Sequence, residues 1–246
     1  MKVSAVVVSH AQAALLERSH PALAPQVDEL VVVANVPGSV PPGVEAIHNE
    51  HPLGYAANLN LGFSRCSGEL LLAANPDAVP EPGVVASLAA HMEAHPRCGI
   101  AGPRMVFPDG SPQPSRRRFP TVGGTIVRRT PLRKVVPQRH HYHEDEPAPD
   151  APVQVDWMLG GFLLMRREML DELGWLDEGF RLYGEDIDLA YRAMRAGWER
   201  WFVPDAVVRH EHQAVTDKRW LTRRTLWHWA GIVRFVRKHP ERLLAL

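Results

Sequence analysis

The stretch from residue 68 to residue 78, Gly-Glu-Leu-Leu-Leu-Ala-Ala-Asn-Pro-Asp-Ala, decides the fold prediction. Residues 70–74 are apolar without interruption, which is the pattern of a strand that is buried on both faces of a sheet. A polar turn follows at once. A carboxylate in that position stands at the carboxyl end of a parallel strand, where α/β sheets place their ligands. Asp77 is therefore the first candidate site residue.

Strands and helices alternate on both sides of this run. Apolar runs at residues 3–8 and 29–33 predict two strands with a helix at 11–18 between them, and residues 53–66 predict a loop that enters a helix. Residues 81–94 predict a helix opened by Pro82, and residues 99–106 predict a further strand. The alternation predicts an α/β protein with a mainly parallel sheet covered on both faces.

The second half of the chain is regular only after residue 153. Residues 128–153 mix basic, histidine, acidic and proline blocks, so they predict a loop or insertion, and the histidine-rich part at 140–146 is interpreted as solvated loop. Residues 155–165 predict a strand broken by Gly160-Gly161. Helices at 168–173 and 220–238 and a strand at 201–208 are also predicted, and residues 183–186 lead into a helix that continues through Gly197.

Composition excludes several classes of protein. Lys plus Arg and Asp plus Glu both number 28, so no net charge attracts nucleic acid, and no nucleic-acid partner is predicted. The two cysteines are too few for a disulfide framework and fit a reducing compartment. No run approaches the roughly 18 apolar residues of a spanning helix. The expected location is the cytoplasm, with peripheral contact to the inner face of a membrane as an extension of that hypothesis.

Carboxylates and histidines at strand ends and helix starts are the candidates for chemistry. Asp77 fits a hard divalent cation, but equally a Pro-Asp turn. The group Glu185-Asp186-x-Asp188 precedes a helix; mutual repulsion would raise a pKa for base or metal work, although acidic residues also cap helices. His210 and His212 follow a strand and can complete a coordination sphere, or serve structure alone.

Taken in order, the motifs resemble the inverting nucleotide-sugar glycosyltransferases of family 2, and especially the rhamnosyltransferase-like branch. The likeness covers nearly the whole chain, and it depends on shared order rather than on any single motif. The matching segments are residues 6–9, 29–35, 49–62, 75–78, 102–104, 108–110, 118–120, 160–162, 176–180, 185–189 and 203–210.

This resemblance implies a GT-A fold, a Rossmann-like three-layer arrangement, and a set of site residues. Asp77 and His210 would hold a divalent metal, Mg or Mn, and Asp186 would be the catalytic base. Acceptor binding would involve Glu185, Trp157, Gly160 and Gly161. Contacts to the nucleotide-sugar would come from Val8, Ser9, Asn35, Gly54, Asn58, Asn60, Asn75, Asp77 and Arg118.

The resemblance also implies how the chain is divided and which molecules it binds. Residues 1–107 would form the nucleotide-sugar-binding half, residues 108–212 the acceptor-binding and catalytic half, and residues 213–246 a C-terminal helical segment of a single domain. The donor would be a nucleotide diphosphate sugar such as dTDP-rhamnose. The acceptor would be a glycan, a lipid-linked sugar or a small molecule, in cell-envelope or natural-product glycosylation. No oligomeric state is predicted.

Three positions depart from the family pattern. Ala34 replaces a carboxylate commonly used to read the base, His10-Ala11 replaces an aromatic-Asn pair, and residues 58–60 replace a Gly-Asn-Asn. These departures leave a catalytically impaired sugar-nucleotide-binding protein as an alternative hypothesis. A nucleotidyltransferase is disfavoured because no Gly-rich triphosphate loop lies near the first strand.

The last predicted helix carries two interpretations. Its tryptophans, including Trp227 and Trp229, together with its Lys and Arg residues are typical of a helix that lies on a membrane surface. Alternatively, an apolar stripe at i, i+3, i+4 and i+7 packs on the core. That stripe consists of Leu226, Trp229, Ala230 and Val233.

Overall fold

A central sheet with helices on both faces organises the computed structural model, which describes residues 1–119, 149–211 and 223–243. The side chains of residues 223–226, 228 and 243 are not described. The histidine-rich residues 140–146, His212 and Trp220 lie outside the described residues, as does most of the predicted loop at 128–153. The α/β class and the mainly parallel sheet are confirmed.

In chain order, the strands of the described residues are β1 Val3–Ser9, β2 Glu29–Ala34, β3 Ile47–His48, β4 Leu70–Ala74, β5 Ala78–Pro80, β6 Cys98–Val106, β7 Arg116–Arg117, β8 Val153–Gln154, β9 Trp157–Met158, β10 Phe162–Arg166 and β11 Glu199–His210. The helices are α1 Ala13–Leu23, α2 Tyr55–Phe63, α3 Val84–Ala94, α4 Arg167–Leu173, α5 Glu185–Arg195 and α6 Arg223–Lys238. Short 3₁₀ segments cover Ala24–Gln26 and Pro240–Leu243.

The sheet order within the described residues is β3-β2-β1-β4-β10-β6-β11-β5, with β8 also paired to β11. Strands β1, β2, β3 and β4 run parallel to one another, as do β6 and β11, whereas β10 is antiparallel between β4 and β6. Phe162 at the start of β10 therefore pairs with Ala74 at the end of β4. This register brings the Gly160-Gly161 turn beside Asn75, at the sheet edge that the sequence assigns to ligands.

Two apolar layers cover the sheet. On one face, alternate residues of β1 and β4 such as Val6 and Leu71 pack against α2, α4 and α5. On the opposite face, the other alternate residues, such as Val7 and Leu72, pack against α1 and α3. Both faces of a strand must then be apolar, which explains the uninterrupted runs in the sequence. The resulting order of helix, sheet and helix is the predicted three-layer arrangement.

Several predicted elements have different limits in the structure. Helix α3 begins at Val84 rather than at residue 81, because Gly83 ahead of it has a φ of 83° that the helix cannot continue. The predicted broken strand at 155–165 is two strands in different sheets, since β9 pairs with β7 and β10 pairs with β4 and β6. Val153, the last residue of the predicted loop, and the following Gln154 form β8 and pair with β11.

The core-packing interpretation of the last helix is wrong for the residues that can be checked. Trp229 is 39 % exposed, Val233 is 45 % exposed, and Ala230 is exposed as well. The buried face of α6 instead carries Gly231 and Phe235, because these residues face α5 and the segment before it. None of the helices in the described part of the chain is long and apolar enough for a membrane-spanning segment.

Candidate active site

Asp77 and His210 meet at the carboxyl edge of the sheet. His210 ends β11 and pairs with Ala78 of β5, so its side chain lies next to Asp77. The distance from His210 Nε2 to Asp77 Oδ1 is 3.2 Å, and both side chains are largely buried. A carboxylate oxygen and an imidazole nitrogen at this spacing can bind one divalent cation together.

Gln113 orients the histidine. His210 Nδ1 lies 3.0 Å from Gln113 Oε1, and with the proton on Nδ1 this histidine donates to the amide oxygen and directs the Nε2 lone pair towards Asp77. Metal-binding histidines are commonly held by such a second hydrogen bond. No group of three or more His, Cys, Asp or Glu side chains in the described ranges could enclose a metal alone. The pair therefore fits a cation that takes its remaining ligands from diphosphate and water, as Mg often does.

The Gly160-Gly161 turn separates this pair from the carboxylates of Glu185 and Asp186. A Cβ on Gly161 would lie 3.2 Å from His210 Nε2 and 3.4 Å from Asn75 Nδ2, and Asn75 N donates to Gly161 O at 2.8 Å. A Cβ on Gly160 would lie 3.4 Å from Asp186 Cβ and Oδ2. Gly161 thus faces the half of the site with His210, and Gly160 faces the half with Asp186. A side chain at either glycine would fill the space between the two halves.

Glu185, which is buried, and Asp186, which is half-buried, form an acidic pair at the start of α5. Asp186 Oδ2 accepts from Gly160 N at 3.1 Å, and Asp186 Oδ1 accepts from Ile187 N at 2.9 Å. No described residue offers a hydrogen bond to the buried Glu185 Oε2. Burial, followed by the charge of Asp186, raises the pKa of Glu185 to about 8, and burial also raises the pKa of Asp186. An acidic pair with raised pKa values is typical of general-base chemistry.

Tyr55 connects the two halves and is a site residue that the sequence analysis missed. Its hydroxyl donates to Asn75 Oδ1 at 3.0 Å and lies 3.5 Å from Gly160 O. Burial raises the pKa of this hydroxyl, and the charges of Glu185, Asp186 and Asp77 raise it further. Tyr55 directly follows Gly54 in a segment already assigned to the donor, which was the available signal. Gln113 carried no such signal.

The predicted donor residues cluster at the ends of β1 and β2. The Asn35 side chain accepts from Leu53 N at 2.8 Å and from Asn49 Nδ2 at 2.9 Å, and Asn49 also donates to Asn58 Oδ1 at 2.6 Å. Ser9 Oγ donates to Ser39 O at 2.6 Å. These side chains are therefore engaged in holding the loops at 35–54 together. Val8, on the same strand, is buried in the core.

The remaining predicted residues lie further apart. Gly54 packs against the backbone of Arg181, and Asn60 binds Leu176 O and Glu178 Oε1, both at 2.9 Å. Trp157 is buried and donates to Arg118 O at 2.9 Å. Ligand contacts by these residues stay predictions. The structure brings together Asn75, Asp77, Gly160, Gly161, Glu185, Asp186 and His210.

Comparison with known proteins identifies the family. A family model described as glycosyltransferase-like family 2 matches residues 24–230. The chain belongs to this family. One relative of this family 2 chain is the N-acetylglucosaminyl-diphospho-decaprenol L-rhamnosyltransferase of Mycobacterium tuberculosis, which is 32 % identical over 187 residues. The match covers 70 % of the family 2 chain and 60 % of the relative, so the chain spans less than two thirds of that protein.

Solved structures support the GT-A fold of the family 2 chain. GalNAc-T7 with UDP, GalNAc and Mn²⁺ matches with a TM-score of 0.68 at 18 % identity, covering 96 % of this chain and 48 % of the neighbour. The mannosyltransferase PcManGT from Pyrobaculum calidifontis, in complex with GDP-Man and Mn²⁺, matches with a TM-score of 0.60 at 18 % identity. That match covers 95 % of this chain and 64 % of the neighbour. At such identity the likeness extends to the fold alone.

The third carboxylate of the acidic motif has a different environment in this family 2 chain. Asp188 is fully buried and contacts Arg192 Nε at 2.8 Å, Lys238 Nζ at 2.9 Å and His239 Nε2 at 2.8 Å. The predicted repulsion therefore contributes, after burial, to the raised pKa of Glu185, whereas the pKa of Asp186 is raised by burial. Asp188 is held by cationic partners and belongs to the packing between α5 and α6.

The raised pKa of Glu185 predicts a pH-dependent effect of Glu185→Gln on stability. Between pH 5 and the folded-state pKa of about 8, the folded protein retains a proton that the unfolded chain has released, so the free energy of unfolding falls as pH rises. Glutamine removes this penalty. The variant should therefore have a higher melting temperature than the wild type at pH 8 and a smaller advantage at pH 5. The difference in free energy of unfolding between variant and wild type should grow by at most about 1.4 kcal/mol per pH unit.

Differential scanning fluorimetry from pH 5 to pH 8 in the presence of a chelator measures this effect. Glu17→Gln, an exposed carboxylate on α1, is the matched control and should show no such trend. A Glu185→Gln variant whose melting temperature differs from the wild type by the same amount at every pH would contradict the prediction.

Gly161→Ala should weaken metal binding. The new Cβ would lie 3.2 Å from His210 Nε2, so the imidazole must move by a few tenths of an ångström. Disturbing the support of a metal ligand typically costs about tenfold to a hundredfold in affinity, and we expect about tenfold. Titration of Mn²⁺ by calorimetry, with a nucleoside diphosphate present, provides the measurement. Gly160→Ala is the control, since its Cβ reaches Asp186 only at ordinary contact distance, 3.4 Å. Equal Mn²⁺ affinity in both variants would count against the assigned metal pair.

Proposed function

We propose that the protein is a metal-dependent inverting glycosyltransferase. The observation that carries this proposal is the arrangement around Gly160-Gly161, with Asp77 and His210 on one side and the acidic pair Glu185-Asp186 on the other. A direct displacement at an anomeric carbon needs a base on the acceptor side and charge stabilisation on the leaving-group side. Family membership and the Mn²⁺-containing structures of the same fold support this assignment.

In the proposed reaction Asp186 accepts the proton of the acceptor hydroxyl as its oxygen bonds to the anomeric carbon. The bond from that carbon to the diphosphate oxygen breaks, and its electron pair leaves with the nucleotide diphosphate. A divalent cation held by Asp77 and His210 would offset the charge that develops there. Glu185 orients the acceptor, and Tyr55 fixes the amide of Asn75 at the donor side. In this proposal residues 1–107 would bind the donor, residues 108–212 would bind the acceptor, and residues 213–246 would be the C-terminal segment.

The proposed donor is dTDP-rhamnose and the proposed acceptor is a lipid-linked sugar. The name of the mycobacterial relative supports rhamnose as the sugar and a lipid-linked sugar as the acceptor, and the family resemblance supports dTDP as the nucleotide. The nucleotide base is the less constrained part of the proposal, because Ala34 stands where family members commonly have a carboxylate. Such a reaction would take place in the cytoplasm, at the inner face of the membrane that contains the acceptor.

We also propose that α6 contacts that membrane. Trp229, Val233 and Arg237 are exposed at four-residue spacing and so share one face of the helix. Apolar and cationic side chains together are typical of a helix that lies on anionic lipid. Flotation with vesicles of neutral lipid and of neutral plus anionic lipid tests this contact, and absence of binding to both vesicle types would exclude it.

The experiment that tests the main proposal is a transfer assay with a panel of nucleotide diphosphate sugars, Mn²⁺ and an N-acetylglucosaminyl-diphospho-polyprenol acceptor. Analysis of the product by NMR should give an anomeric configuration opposite to that of the donor. Retention of configuration, or release of pyrophosphate without transfer, would overturn the proposal. Calorimetric binding of a nucleotide sugar without any product would favour the alternative of a catalytically impaired binding protein, for which Ala34 is the motivating residue.

A further inference from the structure

The turn that carries the acidic pair has an unfavourable backbone conformation. Tyr183 has a φ of 70° and Gly184 a φ of 102°, directly before Glu185 and Asp186. A left-handed conformation is unfavourable at a residue other than glycine and persists only where neighbouring structure enforces it. Gly184 is also the residue that precedes α5, and it has no side chain that could cap the helix with a hydrogen bond. The position of the acidic pair therefore depends on what packs behind this turn.

Helix α6 packs directly behind it. A Cβ on Gly231 would lie 2.6 Å from Tyr183 O, and a Cβ on Gly184 would lie 3.9 Å from the carbonyl carbon of Gly231. The backbones of helix and turn thus touch with no side chain between them. Only glycine at position 231 permits this approach, because a Cβ contact below 3.0 Å with a backbone atom forces one of the two chains to move.

The same helix holds the segment on both sides of the turn. Asp177 binds Arg234 at 2.6 Å and Lys238 at 2.9 Å, while Asp188 of α5 binds Lys238 at 2.9 Å. The guanidinium of Arg181 lies 4.8 Å from the centre of the Trp227 ring. Residues before the turn and the helix after it are therefore both attached to α6.

The turn also reaches the donor side of the site. Arg181 O accepts from Tyr55 N at 2.9 Å, and Tyr55 donates to Asn75. A shift of the turn would consequently change the distance between the acidic pair and the donor. A displacement of about 1 Å at a reacting group can cost about a hundredfold in rate.

We infer that α6 is a positioning element for the acidic pair, and that Gly231 is the positioning residue that sets the placement of Glu185 and Asp186 through Tyr183. This inference rests on the proposed transfer reaction. The residues of α6 touch neither of the two carboxylates of that pair in the described contacts, so their influence on the reaction passes through the turn.

Steady-state kinetics on the full chain test the inference with Gly231→Ala. The expected result is a kcat about tenfold to a hundredfold lower, with the KM for the donor sugar and the Mn²⁺-dependent thermal shift unchanged. A purely structural defect would instead reduce the active fraction and the thermal shift together. Ala230→Ser adds one heavy atom at the exposed neighbouring position and is the matched control, with kinetics like the wild type.

Asp177→Asn provides a second variant should Gly231→Ala fail to fold, because it loosens the same turn without adding volume. It should lower kcat about threefold or more at unchanged donor KM. Wild-type kcat in the folded variant, or a fall in kcat matched by a rise in donor KM, would overturn the inference. Absence of transfer by the wild type would overturn the proposed function and this inference with it. Failure of the inference alone would instead leave the wild type active and would appear only in the variants.

Discussion

Asp186→Asn should lower kcat about a hundred- to ten-thousandfold while donor affinity stays within about twofold. Asparagine has nearly the shape of aspartate but cannot accept the proton of the acceptor hydroxyl. The donor side of the site, with Asp77 and His210, lies beyond the Gly160-Gly161 turn and is not altered. The effect should therefore appear in the chemical step, as expected for an interaction that is needed only in the transition state.

Two measurements on the Asp186→Asn variant separate the effect on the chemical step from the effect on donor binding. Initial rates at saturating donor and acceptor give kcat, and calorimetry with the donor diphosphate and Mn²⁺ gives affinity. Asp171→Asn, an exposed carboxylate on α4, controls for the loss of one negative charge. Wild-type turnover by Asp186→Asn would require a different base, for which the adjacent Glu185 is the next candidate because its pKa is raised as well.

Asp188→Ala should lower the free energy of unfolding by about 3–5 kcal/mol, since it removes one partner from a buried charge cluster. Arg192, Lys238 and His239 all contact the Asp188 carboxylate, which is fully buried. Without it, the charges of Arg192 and Lys238 and the ring of His239 remain between α5 and α6 with no carboxylate to bind. For a chain of this size the fall in melting temperature is about 6–20 °C.

Chemical denaturation with urea measures this change, and an unaltered denaturant slope would indicate that both states keep their compactness. Glu81→Gln is the matched control. Its partner Arg209 lies at 3.1 Å, but both side chains of that pair are 40 % exposed or more, so about 0–1 kcal/mol is expected. Equal losses in the two variants would mean that Asp188 is not the centre of a buried cluster.

The predictions for Asp186 and Asp188 assign different roles to neighbouring carboxylates that look alike in the sequence. Glu185, Asp186 and Asp188 are three carboxylates within four residues, and an acidic first turn of a helix explains any of them equally well. Their difference comes from what surrounds each one. Asp186 faces Gly160, the second oxygen of Glu185 has no donor among the described residues, and Asp188 faces the cations of α6 and its end.

Local sequence patterns predict the layers of the fold and the candidates for chemistry. Uninterrupted apolar runs such as residues 70–74 can only be buried on both faces, and polar residues at the ends of such runs fall on one edge of the sheet. These are local properties of the chain. They predicted the three-layer α/β fold and put Asp77 and His210 at strand ends, but they left a metal site and a simple turn equally open.

Which of these residues meet depends on contacts between distant parts of the chain. The antiparallel insertion of β10 brings Gly161 to Asn75, and the packing of α6 brings Gly231 to Tyr183 and leaves Trp229 exposed. Tyr55 and Gln113 became part of the site only through partners 20 and 97 residues away. The register between distant strands and the face that a helix buries depend on the whole set of competing contacts, and no local pattern of residues contains that information.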